Sequence, residues 1–233
     1  MAQPEQEAPE IALPNYLLQI DMVETADPCI TRTLSVPAHA TFHNLHNAIQ
    51  AAFDWGDCHL HSFEIFDGPA DKKPSLLRRK PATIVKLTPS GQSAGEFGNF
   101  GQDPPTRSSK KVKLLDVFER EGYKDKAIEY LYDFGDNWVH SVTLIGRAVT
   151  STKKVVCLSG EGCPVAEDCG GAFAWAELKE HFQVHVDCDE LCDEDAHDRM
   201  AWYAEGCPPG ESKLQPWKWD RKAVNKDLQR LRI

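Results

Sequence analysis

The sequence predicts an α+β fold built on an antiparallel sheet, and three features of its patterning indicate this class. Short runs of alternating apolar residues, typical of half-buried strands, are separated by turn residues. One helical pattern follows the first two of these runs and precedes the third, and further helical patterns follow the last run. Hairpins that bracket a helix and then give way to helices favour an antiparallel sheet covered by helices on one face, with a helical C-terminal part.

Length and composition limit the possible classes of protein. The chain has 233 residues, of which 41% are hydrophobic and 27% charged, as in a soluble globular domain with a core of its own. No apolar run approaches the roughly 18 residues that a membrane helix needs, and the acidic start resembles no secretory or transit signal. We therefore expect an intracellular protein, cytoplasmic or nuclear, with no membrane partner. Residues 1–14 are expected to be disordered and residues 15–233 to form a single domain.

The first half of the chain alternates between strand and helix patterns. Residues 16–23 and 29–36 predict an opening hairpin. Thr41 then caps a helix with one apolar stripe, formed by Phe42, Leu45, Ile49, Ala52 and Phe53. Residues 59–66 alternate with period two and predict a strand that places His59 and His61 on one face.

The second half begins with an irregular stretch. Residues 83–87 predict a strand, whereas residues 88–109, rich in Gly and Pro, predict a mobile surface insertion. A short helix over 112–119 and a last strand over 153–157 follow. Three further helices are predicted over 173–182, 193–204 and 219–231.

The chain is organised around a predicted hairpin over residues 130–140. Its turn contains Gly135, which accepts a positive φ, beside Asp and Asn residues that tolerate one. Asp133, Asp136 and His140 crowd this short hairpin beside three aromatic residues. Loops held on rigid strands commonly carry binding groups, so the turn is a candidate functional site.

The net charge of −10 conceals an asymmetry that bears on partners. Basic residues dominate the stretch 72–113, and acidic residues dominate 157–212. An acidic balance argues against general nucleic-acid affinity, although the basic stretch leaves such a partner open. We favour a solvated loop that faces the acidic half of the same chain. The sequence has no Gly-rich phosphate loop, so no nucleotide cofactor is expected.

Five residues form the predicted catalytic or ligand-binding cleft: His59, His61, Asp133, Asp136 and His140. Imidazole and carboxylate ligands together suit Zn²⁺, Mn²⁺ or Fe²⁺, and such a site can activate water for metal-assisted hydrolysis. A metal-free site is the second possibility, with a His as general base oriented by an Asp. A small ligand or a divalent metal, zinc first, is therefore expected.

A structural interpretation of the same residues stays open. The Asp side chains can cap the hairpin through their own backbone, while the histidines pack against Trp55 and Trp138. The protein is then a non-catalytic interaction module whose uneven charge docks a protein partner.

Cysteines supply a second candidate metal site. Cys157, Cys163 and Cys169 lie six positions apart in a Gly-rich loop and can hold a structural zinc with a fourth ligand from elsewhere. The alternative is that these thiols pack as small hydrophobic groups. The nearby Glu167 and Asp168 are expected to cap the following helix, with a role in a site as the alternative. A weaker metal candidate is formed by His181, His185, Cys188 and Cys192.

Several stretches together resemble one known family. They are Trp55 with 59–63, the hairpin 130–140, the segment 157–171, and the closing Trp219-Asp220-Arg221 helix with Val224-Asn225. In this order they are similar to the plasmid pRiA4b Orf-three-like family, also labelled transposon-passenger TnpR-like. The resemblance spans about residue 16 to the C-terminus and implies a single α+β domain. It implies little about activity.

Overall fold

The computed structural model confirms the α+β class and describes residues 13–70, 80–92, 104–148, 152–184, 194–206, 215 and 217–233. Its strands are β1 Asn15–Met22, β2 Thr31–Pro37, β3 His61–Pro69, β4 Thr83–Thr88, β5 Thr106–Ser108, β6 Lys126–Tyr132, β7 Trp138–Ala148 and β8 Val156–Glu161. Its helices are α1 Phe42–Phe53, α2 Leu115–Phe118, α3 Gly171–Val184, α4 Glu194–Gly206 and α5 Arg221–Leu228. Residues 1–12, most of the segment predicted to be disordered, lie outside the described ranges.

One mixed sheet contains all of these strands, in the order β5-β4-β3-β6-β7-β1-β2-β8. Each neighbouring pair is antiparallel except β4 and β5, which are parallel. The hairpin β6–β7 that the sequence singles out therefore occupies the middle of the sheet. β3 pairs with β6 on one side and β1 pairs with β7 on the other, and these pairings hold the hairpin in place.

Period-two alternation gives the sheet a buried face, against which α1 packs. In β1 the buried apolar side chains are Tyr16, Leu18, Ile20 and Met22. Aromatic contacts join α1 to this face: the Phe42 and Phe63 rings lie 5.1 Å apart, and the Phe53 and His140 rings 5.0 Å. Fully burying side chains of this size contributes roughly 1.5–3 kcal/mol each. No helix among the described residues has the length and apolar character needed to cross a membrane.

Part of the segment 88–109, for which the sequence predicts a mobile surface insertion, belongs to the sheet. Residues 106–108 form β5, which extends the sheet beside β4, and Ser109 is fully buried. The Ser109 N–H also donates to the Thr88 carbonyl oxygen at 2.8 Å. The Gly and Pro content of a segment indicates local flexibility. The unpaired N–H and C=O groups of an edge strand can nevertheless form hydrogen bonds with such a segment and add it to the sheet. Residues 93–103 of the insertion lie outside the described ranges.

The described part of the basic stretch 72–113 pairs partly with acidic residues of the sheet. Lys80 forms an ion pair with Glu129, and Lys86 lies 3.1 Å from Glu64. Both carboxylates belong to strands, whereas the sequence suggested the acidic half 157–212 as the partner.

Candidate functional site

Functional side chains converge on the loop between α1 and β3. Outside it lies a group that we call the surface cluster, defined as Cys58, His59, Asp133, Glu167 and Asp168. Inside it lies a group that we call the buried histidine pair, defined as His46 and His61, with Asp57 at its edge. Consecutive residues of the loop thus serve both groups.

His59 stands between two carboxylates of the surface cluster. Its Nε2 atom lies 2.8 Å from Asp168 Oδ1 and 3.8 Å from Asp133 Oδ2. The His59 side chain is 32% exposed and that of Asp168 62%, so water reaches the group. The hydrogen bond with Asp168 is the main cause that raises the pKa of His59, and the charge of Asp133 adds to it. The arrangement offers one imidazole and two carboxylates to a cation.

The turn between β6 and β7 orients Asp133. Asp133 and Asn137 adopt the positive φ values of this turn, 54° and 56°, and they bracket Gly135, to which the sequence assigned this role. Asp133 Oδ1 accepts a hydrogen bond of 2.8 Å from the Gly135 N–H. The same carboxylate therefore caps its own turn with one oxygen and directs the other towards His59.

Two tryptophans of the core hold the segment 163–170 against the loop. Trp55 Nε1 donates to the Val165 carbonyl oxygen at 2.9 Å, and Trp138 Nε1 donates to that of Glu167 at 2.8 Å. The Gly170 N–H donates to Asp136 Oδ2 at 2.8 Å. These contacts bring Asp168 to His59 across a large sequence separation.

The Glu167 side chain also turns towards the loop. Its Oε2 accepts from the Gly56 N–H at 2.8 Å, and its Oε1 accepts from the Tyr132 hydroxyl and, at 3.2 Å, from the Cys58 thiol. Burial alone raises the pKa of Glu167, but the hydrogen bonds from Tyr132, Gly56 and Cys58 outweigh it and lower the pKa. The predicted capping role of Glu167 and Asp168 is wrong, because both carboxylates reach the loop and α3 begins only at Gly171.

The structure does not bring the five residues of the predicted cleft together. His59 and Asp133 meet, but His61 lies on the buried face of β3 and is 6% exposed. The strand begins only at His61, so the period-two rule does not extend to His59. Asp136 is occupied by the Gly170 N–H and positions the segment 163–170.

His140 packs in the core, as in the structural interpretation of the sequence. It is fully buried, with its ring 5.0 Å from Phe53 and 5.4 Å from Trp55. Its Nδ1 donates to the Trp138 carbonyl oxygen at 3.2 Å. Burial lowers the pKa of His140 to about 4, so the ring is neutral at pH 7.

Cys157, Cys163 and Cys169 do not form a ligand set. Within the described ranges, the groups of three or more His, Cys, Asp and Glu residues with ligand atoms inside 4.8 Å include none of them. Cys157 and Cys163 are buried, and burial raises the pKa of both thiols, that of Cys163 to about 11. Cys157 lies on β8 and Cys163 in the segment that follows it, and both thiols pack as core residues. Of the weaker candidate, His185, Cys188 and Cys192 lie outside the described residues.

Sequence reasoning missed three residues of the site: His46, Asp57 and Cys58. Only His46 had a usable signal. It lies four positions after Phe42 and three before Ile49, on the apolar stripe of the predicted helix, where a histidine must be buried. Asp57 and Cys58 lie in an irregular loop, so no periodicity marks the direction of their side chains.

Comparison with known proteins identifies the family. The model of the plasmid pRiA4b ORF-3-like protein family matches residues 15–227. The chain belongs to this family. Its relatives include uncharacterized protein y4hQ of Sinorhizobium fredii (strain NBRC 101917 / NGR234), which is 28% identical over 187 residues, covering 79% of this chain and 77% of the relative.

A solved structure supports the fold of this pRiA4b ORF-3-like chain. It is that of MM3350 from Methanosarcina mazei Go1, a protein of unknown function. The two chains are 29% identical with a TM-score of 0.64, over 91% of this chain and 96% of the other.

Proposed function

We propose that the surface cluster binds a divalent metal ion and supports metal-assisted hydrolysis of a small ligand. The proposal rests on one observation: ligand atoms of His59, Asp133 and Asp168 lie within 4.8 Å of one another. Imidazole nitrogen and carboxylate oxygen suit zinc first, then Mn²⁺ or Fe²⁺. Three protein ligands on an exposed surface leave a position for water or substrate, as in catalytic metal sites.

The roles follow from the environment of each side chain. His59 supplies Nε2, and Asp133, whose second oxygen is fixed by the Gly135 N–H, supplies Oδ2. The more exposed Asp168 serves as a third ligand or as the base. A bound divalent ion lowers the pKa of its water to roughly 7, which makes a nucleophile available near neutral pH. The metal competes with the proton of His59, so binding weakens in acid.

An interaction module is the second candidate, and exposed apolar side chains favour it. Leu60 is 66% exposed and Phe134 38%, and they adjoin His59 and Asp133 in the chain. The Asp133 N–H donates to the Leu60 carbonyl oxygen at 2.9 Å, which ties the two segments together. In this case Leu60 and Phe134 contact a protein partner, and the surface cluster holds these two apolar side chains in position. We place either function inside the cell, where the free cysteines of the described residues stay reduced.

Elemental analysis of the purified full chain separates the two candidates. We expect bound zinc in the wild type, and loss of that ion with the fold retained in His59→Gln and Asp168→Asn. Asp67→Asn is the matched control, because the Asp67 side chain is 64% exposed, like Asp168, and forms an ion pair with Lys126 at 2.6 Å, outside the surface cluster. Zinc content that is unchanged in His59→Gln and Asp168→Asn contradicts the metal proposal and favours the interaction module.

A further inference from the structure

The buried histidine pair is a second group of metal-ligand atoms, separate from the surface cluster. The rings of His46, on α1, and His61, at the start of β3, are stacked with centroids 3.4 Å apart and planes 12° from parallel. Asp57 Oδ1 lies 2.9 Å from His46 Nε2. One ligand atom from each of the three residues lies within 4.8 Å of the others.

A hydrogen-bond network fixes the His46 ring. Its Nδ1 lies 2.8 Å from the Tyr130 hydroxyl oxygen, which accepts a bond of 2.9 Å from Gln50 Nε2. Gln50 Oε1 in turn accepts from the Asp57 N–H at 3.0 Å. Because the hydroxyl accepts from Gln50, its own proton is free for Nδ1, so in the ion-free protein His46 Nε2 carries the ring proton and donates it to Asp57. The nitrogen that faces Asp57 is thus held in one position.

Ring nitrogens beside this network lack hydrogen-bond partners. Within the described ranges, His61 Nε2 and His43 Nδ1 are buried and have none. His61 is 94% buried, since only 6% of its surface is exposed. The His43 ring stacks on His46 from one helical turn away, with centroids 5.9 Å apart. An unpaired buried polar group costs about 1–3 kcal/mol, and an ion or water bound there is the usual explanation.

Both rings of the pair are uncharged at neutral pH. Burial lowers the pKa of His46 and His61 to about 3, and the adjacent histidine rings lower it further. Both imidazoles are therefore neutral at pH 7. An ion at His46 Nε2 displaces the proton there and selects the other neutral tautomer, with the proton on Nδ1, from which the Tyr130 hydroxyl oxygen accepts through its second lone pair.

We propose that His46, His61 and Asp57 bind a second divalent transition metal ion, zinc by the type of donors. Two neutral imidazoles and one carboxylate form a common zinc ligand set, with a fourth position for water or for the adjacent His43. Asp57, whose side chain is 51% exposed, connects the site to solvent and gives the ion a path inwards. An ion here links α1 to the start of β3 and holds the loop that carries Cys58 and His59.

Zinc titration of the full chain, first made metal-free with a chelator, tests this site. The variants are His61→Gln and Asp57→Asn, with His59→Gln for the surface cluster and the exposed His39→Gln as control. Asp57→Asn keeps an oxygen that accepts from His46 but removes the charged ligand, and it lies at a half-exposed position, so the fold is retained. Circular dichroism in chelator checks the fold of each variant.

The titration separates this inference from the proposed function. Both proposals hold if the wild type binds two ions, one of which is lost in His61→Gln and Asp57→Asn and the other in His59→Gln. A single ion lost in Asp57→Asn but kept in His59→Gln supports the buried site and contradicts the proposed function. Zinc binding that is unchanged in Asp57→Asn, or a wild type without bound zinc, overturns the buried site.

Discussion

The histidines of this protein show how the surroundings of a residue decide its chemistry. His59 lies on the surface between two carboxylates that raise its pKa. His140 lies in the core, where burial lowers its pKa to about 4. Their surroundings therefore shift the two pKa values in opposite directions, although both residues belong to segments that the sequence marks as functional.

Replacing Asp168 by Asn is expected to lower the pKa of His59, because the hydrogen bond with Asp168 is the main cause that raises it. A raised pKa in the folded state stabilises the protein below the ordinary His value of about 6.5, and this contribution is lost as pH rises through the raised value. NMR titration of the His59 ring measures the shift, with Asp67→Asn as control. An unchanged His59 titration in Asp168→Asn rules out the assigned hydrogen bond.

The buried His140 has the opposite effect on stability. Its pKa is about 4 when folded, so between pH 6.5 and 4 the unfolded chain binds a proton that the folded chain does not. Stability therefore falls on acidification. We expect His140→Gln to reduce the slope of the unfolding free energy against pH by up to about 1.4 kcal/mol per pH unit. Urea unfolding from pH 7 to pH 5 measures the slope, and an identical slope in His140→Gln and wild type contradicts the account.

At the scale of elements, the docking of segment 163–170 on the β6–β7 turn assembles the surface cluster. A Cβ atom added at Gly171 would lie 2.3 Å from the Asp136 carbonyl oxygen, so only glycine permits this approach. Gly122 has a similar positive φ, 90° against 84°, but nothing lies within 4 Å of its Cβ position. Substitutions at the two glycines therefore distinguish the cost of backbone strain, present at both, from the cost of the close contact, present only at Gly171.

We expect Gly122→Ala to cost about 1–2 kcal/mol, the penalty of the left-handed conformation. Gly171→Ala is expected to cost more and also to lower the pKa of His59, because Asp168 moves away with its segment. Chemical denaturation and NMR titration measure the two effects. Equal losses of stability and an unchanged His59 pKa in both variants contradict the role given to this contact.

Helix α1 depends on a capping box that the sequence predicts only in part. The Asn44 N–H donates to Thr41 Oγ1 at 3.1 Å, and the Thr41 N–H donates to Asn44 Oδ1 at 2.9 Å. Thr41→Ala is expected to lower the unfolding free energy by about 1 kcal/mol. Asn44→Ala removes the other bond, and the two effects are not additive because the side chains bond reciprocally. Additive losses in urea unfolding of the double variant would exclude the reciprocal cap.

The elements that the sequence predicts best are those with a local cause. Thr41 and the apolar stripe after it predict α1, and period-two alternation predicts β3. The short β5 has no such signal, because its pairing depends on the free edge of β4. Local alternation predicts that His61 shares a face of its strand with Phe63 and Ile65. It does not predict that His61 stacks on His46 of α1, because that contact joins two separate elements.

At the scale of the molecule, the site depends on contacts between distant parts of the chain. His59 and Asp168 are 109 positions apart, and they meet because Trp55 and Trp138 both bond the segment that contains Asp168. The sequence predicts that the hairpin turn carries a functional carboxylate, and Asp133 has this position. The sequence does not predict Asp168 as the partner of His59, because no local pattern shows which segment the side chains of Trp55 and Trp138 bind.

The most direct test of the central proposal is anomalous diffraction from crystals of the full chain grown with zinc. The account predicts an anomalous peak among His59 Nε2, Asp133 Oδ2 and Asp168 Oδ1, at about 2.0–2.2 Å from each ligand atom. Crystals that show no peak there, with His59 still hydrogen-bonded to Asp168, would contradict it.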